Sequence, residues 1–396
     1  MKQLSKRNVL LIGITLFSMF FGAGNLIFPP FMGYGAGANA VPAFAGFVLT
    51  AVVFPVLGVT AVAKSGGLDH LCEKIHPKFA FAFSVIVYLC IGPMLAIPRT
   101  AGTSYSMFSF LTERLSQQAI LGIPAETVAS VLFSLVFFVG AGLLARHPER
   151  FKDILGKIMT PVLILLIVVM FAATLMHGEL PVSAANEKYC TGALSAGFVD
   201  GYQTMDTLAA MVFGIVVAIN IRALGVKDNH AVAAETIRGG VIAGLFLALM
   251  YGMLTFVGMK SGSLIADAQN GTDIMTAACR TFFGAGGSWL LAAIYFIACF
   301  NVGTGLISSC AEFFALKFPA LSFHAWIAVL TVWSFLISIA GLNTILAISV
   351  PVLSVIYPVA IAVILMNLIP LSVFRRPAVQ RIISALALLY GVSTIL

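Results

Sequence analysis

The chain has 396 residues, of which 60% are hydrophobic and only 9% charged, with a formal net charge of +7. An average soluble domain is about 25% charged, and a water-soluble globule of this composition would expose large apolar patches and aggregate. Lipid is the natural solvent, and nucleic acid is excluded as a partner because Lys and Arg are scattered between apolar segments, not in a basic stripe interleaved with aromatics.

A helix crossing a bilayer needs about 20 mostly apolar residues. Eleven such runs are predicted, at 8–34, 38–63, 79–108, 125–144, 158–176, 194–221, 238–258, 286–315, 324–341, 344–369 and 377–396. The expected fold class is therefore all-α integral membrane, a single polytopic domain over 1–396. No small-residue cleavage pattern follows the first run, so it reads as a retained span and not a signal peptide. The short charged stretch Arg146–Lys157 is predicted as a helix lying on the membrane interface. With the N-terminus in the cytoplasm, seventeen of the 22 Lys and Arg fall inside, leaving Arg99, Arg114, Lys188, Lys260 and Arg280 outside. Cytoplasmic loops carry the excess of basic residues, which puts the N-terminus inside.

The six cysteines form no CxxC pair, and Cys90, Cys299 and Cys310 lie within apolar runs, as small packing residues do. Cys190 and Cys279 fall in outer loops, where a bridge between them could form. The six histidines sit near span ends or in loops, which gives no support for haem ligation. No GxxxxGK[ST] loop is present, so ATP is not the direct energy source.

Two spans are interrupted. Span one carries Phe21-Gly-Ala-Gly-Asn25, followed by Pro29-Pro30; span six carries Asp200-Gly-Tyr-Gln-Thr-Met-Asp206-Thr207. Glycine pairs and prolines weaken a helix, and unwound backbone at membrane depth is tolerated only where protein buries it or a cavity takes it up. Spans one and six are the first members of two five-span halves, 8–176 and 194–369, with 377–396 as an extra helix. Five is odd, so the halves enter the membrane in opposite senses, and paired breaks of this kind point to a five-plus-five inverted-repeat transporter with broken helices 1 and 6. The plainer reading is that glycines allow close helix packing, as Gly240-x-x-x-Gly244 does in span seven.

A half-helix starting at a break offers free N–H groups and the positive end of its dipole, suited to a carboxylate. Gly24 and Asn25 would supply those N–H groups. The candidate substrate site comprises Gly22, Ala23, Gly24 and Asn25 of span one with Tyr202, Thr204, Met205 and Asp206 of span six. Thr204 is predicted as the N-cap of the resumed helix. Asp206, in its first turn, either compensates the dipole or helps bind a cation. In span eight, Asn301, Thr304 and Ser308 share one face at i, i+3, i+7. Together with the Phe21 carbonyl, Asn301 and Thr304 form a candidate sodium site; the alternative is hydrogen bonding between helices. Arg99 is expected to snorkel at the outer boundary, with an ion pair to Asp200 as the other reading.

The segments Phe21-Gly-Ala-Gly-Asn-Leu-Ile-Phe-Pro-Pro30, Gly92-Pro…Pro98-Arg-Thr100, Gly201-Tyr-Gln-Thr-Met-Asp-Thr-Leu208, Phe213-Gly214, Cys310-Ala-Glu-Phe-Phe314 and Ile348-Ser-Val-Pro-Val-Leu353 resemble the bacterial branched-chain amino acid:cation symporters, the BrnQ-type carriers. The resemblance runs to about residue 370. It implies a LeuT-type fold within the amino acid–polyamine–organocation superfamily, a multi-pass protein of the bacterial inner membrane. It also implies uptake of leucine, isoleucine and valine driven by sodium, or by protons, with no other cofactor and no obligate protein partner. Relatives of that family usually carry twelve spans, whereas this sequence ends inside its eleventh. The chain reads Asn301-Val302 where they usually have one or two threonines, and Val302 offers no oxygen, although Asn301 and Thr304 still do.

Nothing clusters a nucleophile with a base, so an enzyme is not expected. A passive channel would want rings of repeated polar residues. A transporter-fold amino acid sensor would usually carry an appended signalling domain. Both stay open as alternatives to a carrier.

Overall fold

The computed structural model describes residues 4–112, 119–120, 122–146, 148–177 and 180–395, and all eleven apolar runs are helical. Span one is two helices, α1 (Lys6–Phe20) and α2 (Ala23–Ala36). The Ser5 side chain caps α1 by accepting from the Asn8 N–H at 3.3 Å. Span two is α3 (Ala40–Val48) and α4 (Phe54–Ser65), joined without interruption through a π-helical turn at Leu49–Val53. After the short α5 (Leu68–Glu73), span three divides into α6 (Pro77–Leu89) and α7 (Ala96–Met107). The link is a π-helical turn, Cys90–Met94, in which Gly92 has non-helical backbone (φ −97°, ψ −127°).

The helix α8 (Ser109–Thr112) and a two-stranded hairpin, β1 (Ala119–Ile120) and β2 (Ile123–Pro124), lead to α9 (Ala125–Ala145), the fourth span. Span five is α10 (Pro148–Met176). The predicted interface helix is thus not separate: from residue 148 onward it continues into the span. Gly156 alone weakens a helix without ending it.

Span six is α11 (Glu187–Asp200) and α12 (Asp206–Ala223), separated by a 3₁₀ turn at Gly201–Thr204. The remaining spans are α13 (Asn229–Met259), α14 (Gly271–Lys317), α15 (Phe323–Ser338), α16 (Leu342–Leu368) and α17 (Pro377–Ser393). A kink at Gly284, where φ is +64°, divides α14 into a leading helix and the eighth span. All six cysteines are free, so Cys190 and Cys279 do not bridge; Cys279 is buried, whereas Cys190 is exposed and donates to the Ala185 carbonyl.

The packing holds the two broken spans together at the centre. The helix α2 lies against α13, α14 and the 201–204 turn, while α11 packs on α3 and α12 on α4. Backbone meets backbone along α2 and α13: a Cβ at Gly33 would stand 2.0 Å from the Thr255 carbonyl oxygen, and one at Gly258 would stand 1.9 Å from that of Pro30. Only glycine permits this approach. In the same way Gly240 and Gly244 of α13 receive Val56 and Val52, so that pair of glycines is a packing device as predicted. Proline at 30 deprives the Leu26 carbonyl of its helical donor, and the Tyr295 hydroxyl of α14 supplies a replacement at 3.4 Å.

Candidate functional site

Break one is narrower than the sequence suggests. It occupies Phe21 and Gly22, both in extended backbone, and α2 resumes at Ala23, with Asn25 already in its first turn. The Asn25 N–H donates to the Gly22 carbonyl at 3.1 Å, so it is not free for a ligand as expected. Ala23 and Gly24 precede it and have no acceptor within the helix.

Break two comprises the 3₁₀ turn Gly201–Thr204 and Met205, whose φ of +63° makes it the one non-glycine residue with positive φ among the described residues. The N-cap position of α12 is therefore Met205, not Thr204. Thr204 still contributes: its hydroxyl donates to the Gly201 carbonyl at 3.0 Å and accepts from the Asp206 N–H at 3.4 Å. Tyr202 stacks on Tyr357 of α16 with centroids 4.4 Å apart. Gly22, Ala23, Gly24, Asn25, Tyr202, Thr204, Met205 and Asp206 are all buried.

A chain of hydrogen bonds joins the two breaks, and its polarity can be read from one end. The Gly22 N–H can only donate, and it does so to Asn25 Oδ1 at 2.9 Å. That fixes the orientation of the Asn25 amide, whose nitrogen then donates to Asp206 Oδ1 at 3.0 Å, to Oδ2 at 2.8 Å, and to the Tyr251 hydroxyl. Having accepted from Asn25, Tyr251 donates onward to Asp206 Oδ2 at 2.6 Å. Asp206 thus receives bonds from both Asn25 and Tyr251. Tyr251, on α13, is fully buried, with Phe47 edge-on at 5.5 Å between centroids. A lone tyrosine in an apolar run gave no sequence signal, and only the fold brings it to Asp206.

Arg99 is the main correction. It does not snorkel: the side chain is 3% exposed. Its Nη1 donates to the Gln203 carbonyl at 2.8 Å, and its guanidinium lies 5.3 Å above the Phe28 ring. Nor does it pair with Asp200, which is held by Lys188 at 2.9 Å and by the Tyr189 hydroxyl at 2.5 Å. The reason is the break at Gly92. It makes α7 a third half-helix starting at Ala96, and Arg99 lies in its first turn beside the other two breaks.

On span eight, the residue facing Gly22 is Val302, whose methyls lie 3.4 and 3.5 Å from where a Gly22 Cβ would stand. Thr304 is buried and its hydroxyl donates to the Phe300 carbonyl at 2.7 Å, within its own helix; Asn301 is half-buried. Phe21 is buried and stacks on Phe17.

The profile of the family described as branched-chain amino acid transport protein matches residues 5–396. The chain belongs to this family. It is 40% identical over 373 residues to the branched-chain amino acid permease BraB of Bacillus subtilis, covering 93% of this chain and 81% of that one. It is 39% identical over 370 residues to the permease BrnQ of Escherichia coli K12, covering 92% and 81%. To the branched-chain amino acid transport system 2 carrier protein of Pseudomonas aeruginosa it is 37% identical over 395 residues, covering 99% and 87%. Mhp1 and MhsT are among the solved structures that share the fold. Mhp1, a nucleobase-cation-symport-1 family transporter in a closed conformation with bromovinylhydantoin bound, aligns with a TM-score of 0.61 at 14% identity, over 98% of this chain and 91% of that one. MhsT in complex with L-phenylalanine aligns with a TM-score of 0.56 at 16% identity, over 100% and 99%. The fold is LeuT-type, and the family is one of transporters, not enzymes.

Proposed function

We propose that the protein imports leucine, isoleucine and valine by alternating access, with a cation moving in the same direction, the N-terminus cytoplasmic and the two five-span halves forming an inverted repeat. The observation that carries this reading is the buried junction of the breaks, where the carboxyl group of Asp206 stands beside half-helix N-termini. A zwitterion has both charges such a junction needs, and the apolar Val302, which faces break one, suits a branched side chain. An apolar pocket separates ligands differing by one methylene by only about 1–3 kcal/mol, so the three amino acids share it.

Sodium is the favoured coupling ion. Asp206, the proton carrier in the competing reading, is bonded to Asn25 and Tyr251. The proposed sodium shell is the Phe21 carbonyl with Asn301 and Thr304. Val302, which span eight turns toward Gly22, offers no oxygen, so the shell depends on its neighbours. One charge moving inward gains about 2.3 kcal/mol per 100 mV, and a tenfold cation gradient adds about 1.4 kcal/mol. Together they sustain accumulation of roughly several hundredfold.

Counterflow in proteoliposomes tests the carrier reading. Vesicles preloaded with unlabelled leucine are expected to concentrate labelled leucine transiently, as only alternating exposure of one site can do. Labelled leucine that merely equilibrates would indicate a channel. Saturable binding with no flux would indicate a sensor.

A further inference from the structure

Arg99 is the only Lys or Arg side chain buried among the described residues. Nη1 is bonded to the Gln203 carbonyl, whereas Nε, also buried, has no hydrogen-bond partner. Nη2 would stand 2.6 Å from a Cβ at Gly24, so the guanidinium lies directly against the backbone of break one. Asp206 acts on it electrostatically, but the two make no direct ion pair. Asp206 is held instead by Asn25 and Tyr251.

Two features of one sign therefore converge with no anion in contact: the guanidinium, with its unpartnered Nε, and the N-terminal end of α2 at Ala23 and Gly24. Burying an uncompensated charge is costly, and a guanidinium fork matches a carboxylate with two parallel bonds. The Gln203 Oε1 oxygen is likewise buried without a partner.

We propose that Arg99 is the anchor of the substrate's α-carboxylate, gripping it together with the Ala23 and Gly24 N–H groups, while Asp206 takes the ammonium. This assignment rests on the amino acid reading above and adds to it the residue that distinguishes an amino acid from an amine. The glycine at 24 is needed because a side chain there would displace the guanidinium.

The test is ligand-induced thermal stabilisation of the purified full chain in detergent. It is titrated with leucine, with 3-methylbutylamine, which lacks the carboxylate, and with 4-methylpentanoate, which lacks the amine. Wild-type protein should bind leucine more tightly than 3-methylbutylamine by roughly tenfold to a hundredfold, the worth of bonds to a charged group. Arg99→Gln should bring leucine down to the amine's affinity while leaving the amine unchanged, and Arg99→Lys should fall between. An Arg99→Gln protein that keeps the wild-type ratio, whatever its absolute affinities, would overturn the assignment and leave Arg99 a structural tie. Should neither Arg99 variant fold, Gly24→Ala reads the same contact: it should weaken leucine and 4-methylpentanoate but spare 3-methylbutylamine, and equal weakening of all three overturns the proposal. If wild-type protein binds none of leucine, isoleucine and valine, the amino acid reading itself has failed, a result distinct from an unchanged ratio.

Discussion

Asn25 and Asp206, 181 positions apart in the chain, meet at both carboxylate oxygens, with the Asn25 amide nitrogen 3.0 Å from one and 2.8 Å from the other. This contact ties the start of the second half of span one to the start of the second half of span six. Because the amide is oriented by the Gly22 N–H, the backbone of break one sets the polarity of the bonds that Asp206 receives from Asn25.

Removing the amide should therefore be felt at both breaks. Asn25→Ala leaves a buried carboxylate short of its donors and the Gly22 N–H unpaired. Bonds to charged groups contribute about 1.5–3 kcal/mol each, so the unfolding temperature in detergent should fall clearly and leucine uptake should be lost. Tyr251→Phe removes one donor and should fall between Asn25→Ala and wild type in both measurements. An Asn25→Ala protein with wild-type stability and uptake would show that the relay holds nothing.

Gly24→Leu should abolish leucine uptake while the protein still reaches the membrane. An atom at the Cβ position meets the Arg99 guanidinium at 2.6 Å and the Gln203 carbonyl oxygen at 3.3 Å. Immunoblotting of the membrane fraction beside an uptake assay separates loss of function from loss of protein. Normal uptake by this variant would make break one a packing device only.

Met205 occupies left-handed backbone at φ +63° within a buried surround. Strain of this kind costs about 1–3 kcal/mol and is worse for β-branched side chains. Met205→Val should accordingly destabilise the protein more than Met205→Leu, although both keep an apolar side chain. Equal unfolding temperatures for the two variants would mean that the turn adjusts freely.

Much of this arrangement was legible in the sequence, and the parts that were not have physical causes. Apolar runs of bilayer length became helices because backbone polar groups have no other partner in lipid. The breaks at Gly22 and Met205 were visible because glycine pairs and polar runs are rare at that depth. Arg99 was misplaced because counting residues along span three assumes an unbroken helix, whereas Gly92 interrupts it; the Gly92-Pro93 pair ahead of a lone Arg was the available signal. Asn25 was read as a backbone donor, and its side chain proved to be the part that joins the breaks. Tyr251 was not legible, since 45 residues separate it from Asp206 and nothing in its apolar run marks the hydroxyl.

Leucine uptake into membrane vesicles under imposed gradients tests the proposed coupling most directly. With an inward sodium gradient and no pH difference, labelled leucine should accumulate above the outside concentration, and replacing Asn301 and Thr304 together by Val should raise the sodium requirement sharply with little change among leucine, isoleucine and valine. With a pH gradient alone, in sodium-free buffer, there should be no accumulation. Accumulation under the pH gradient alone, lost in Asp206→Asn while leucine exchange persists, would contradict sodium coupling and make Asp206 the proton carrier.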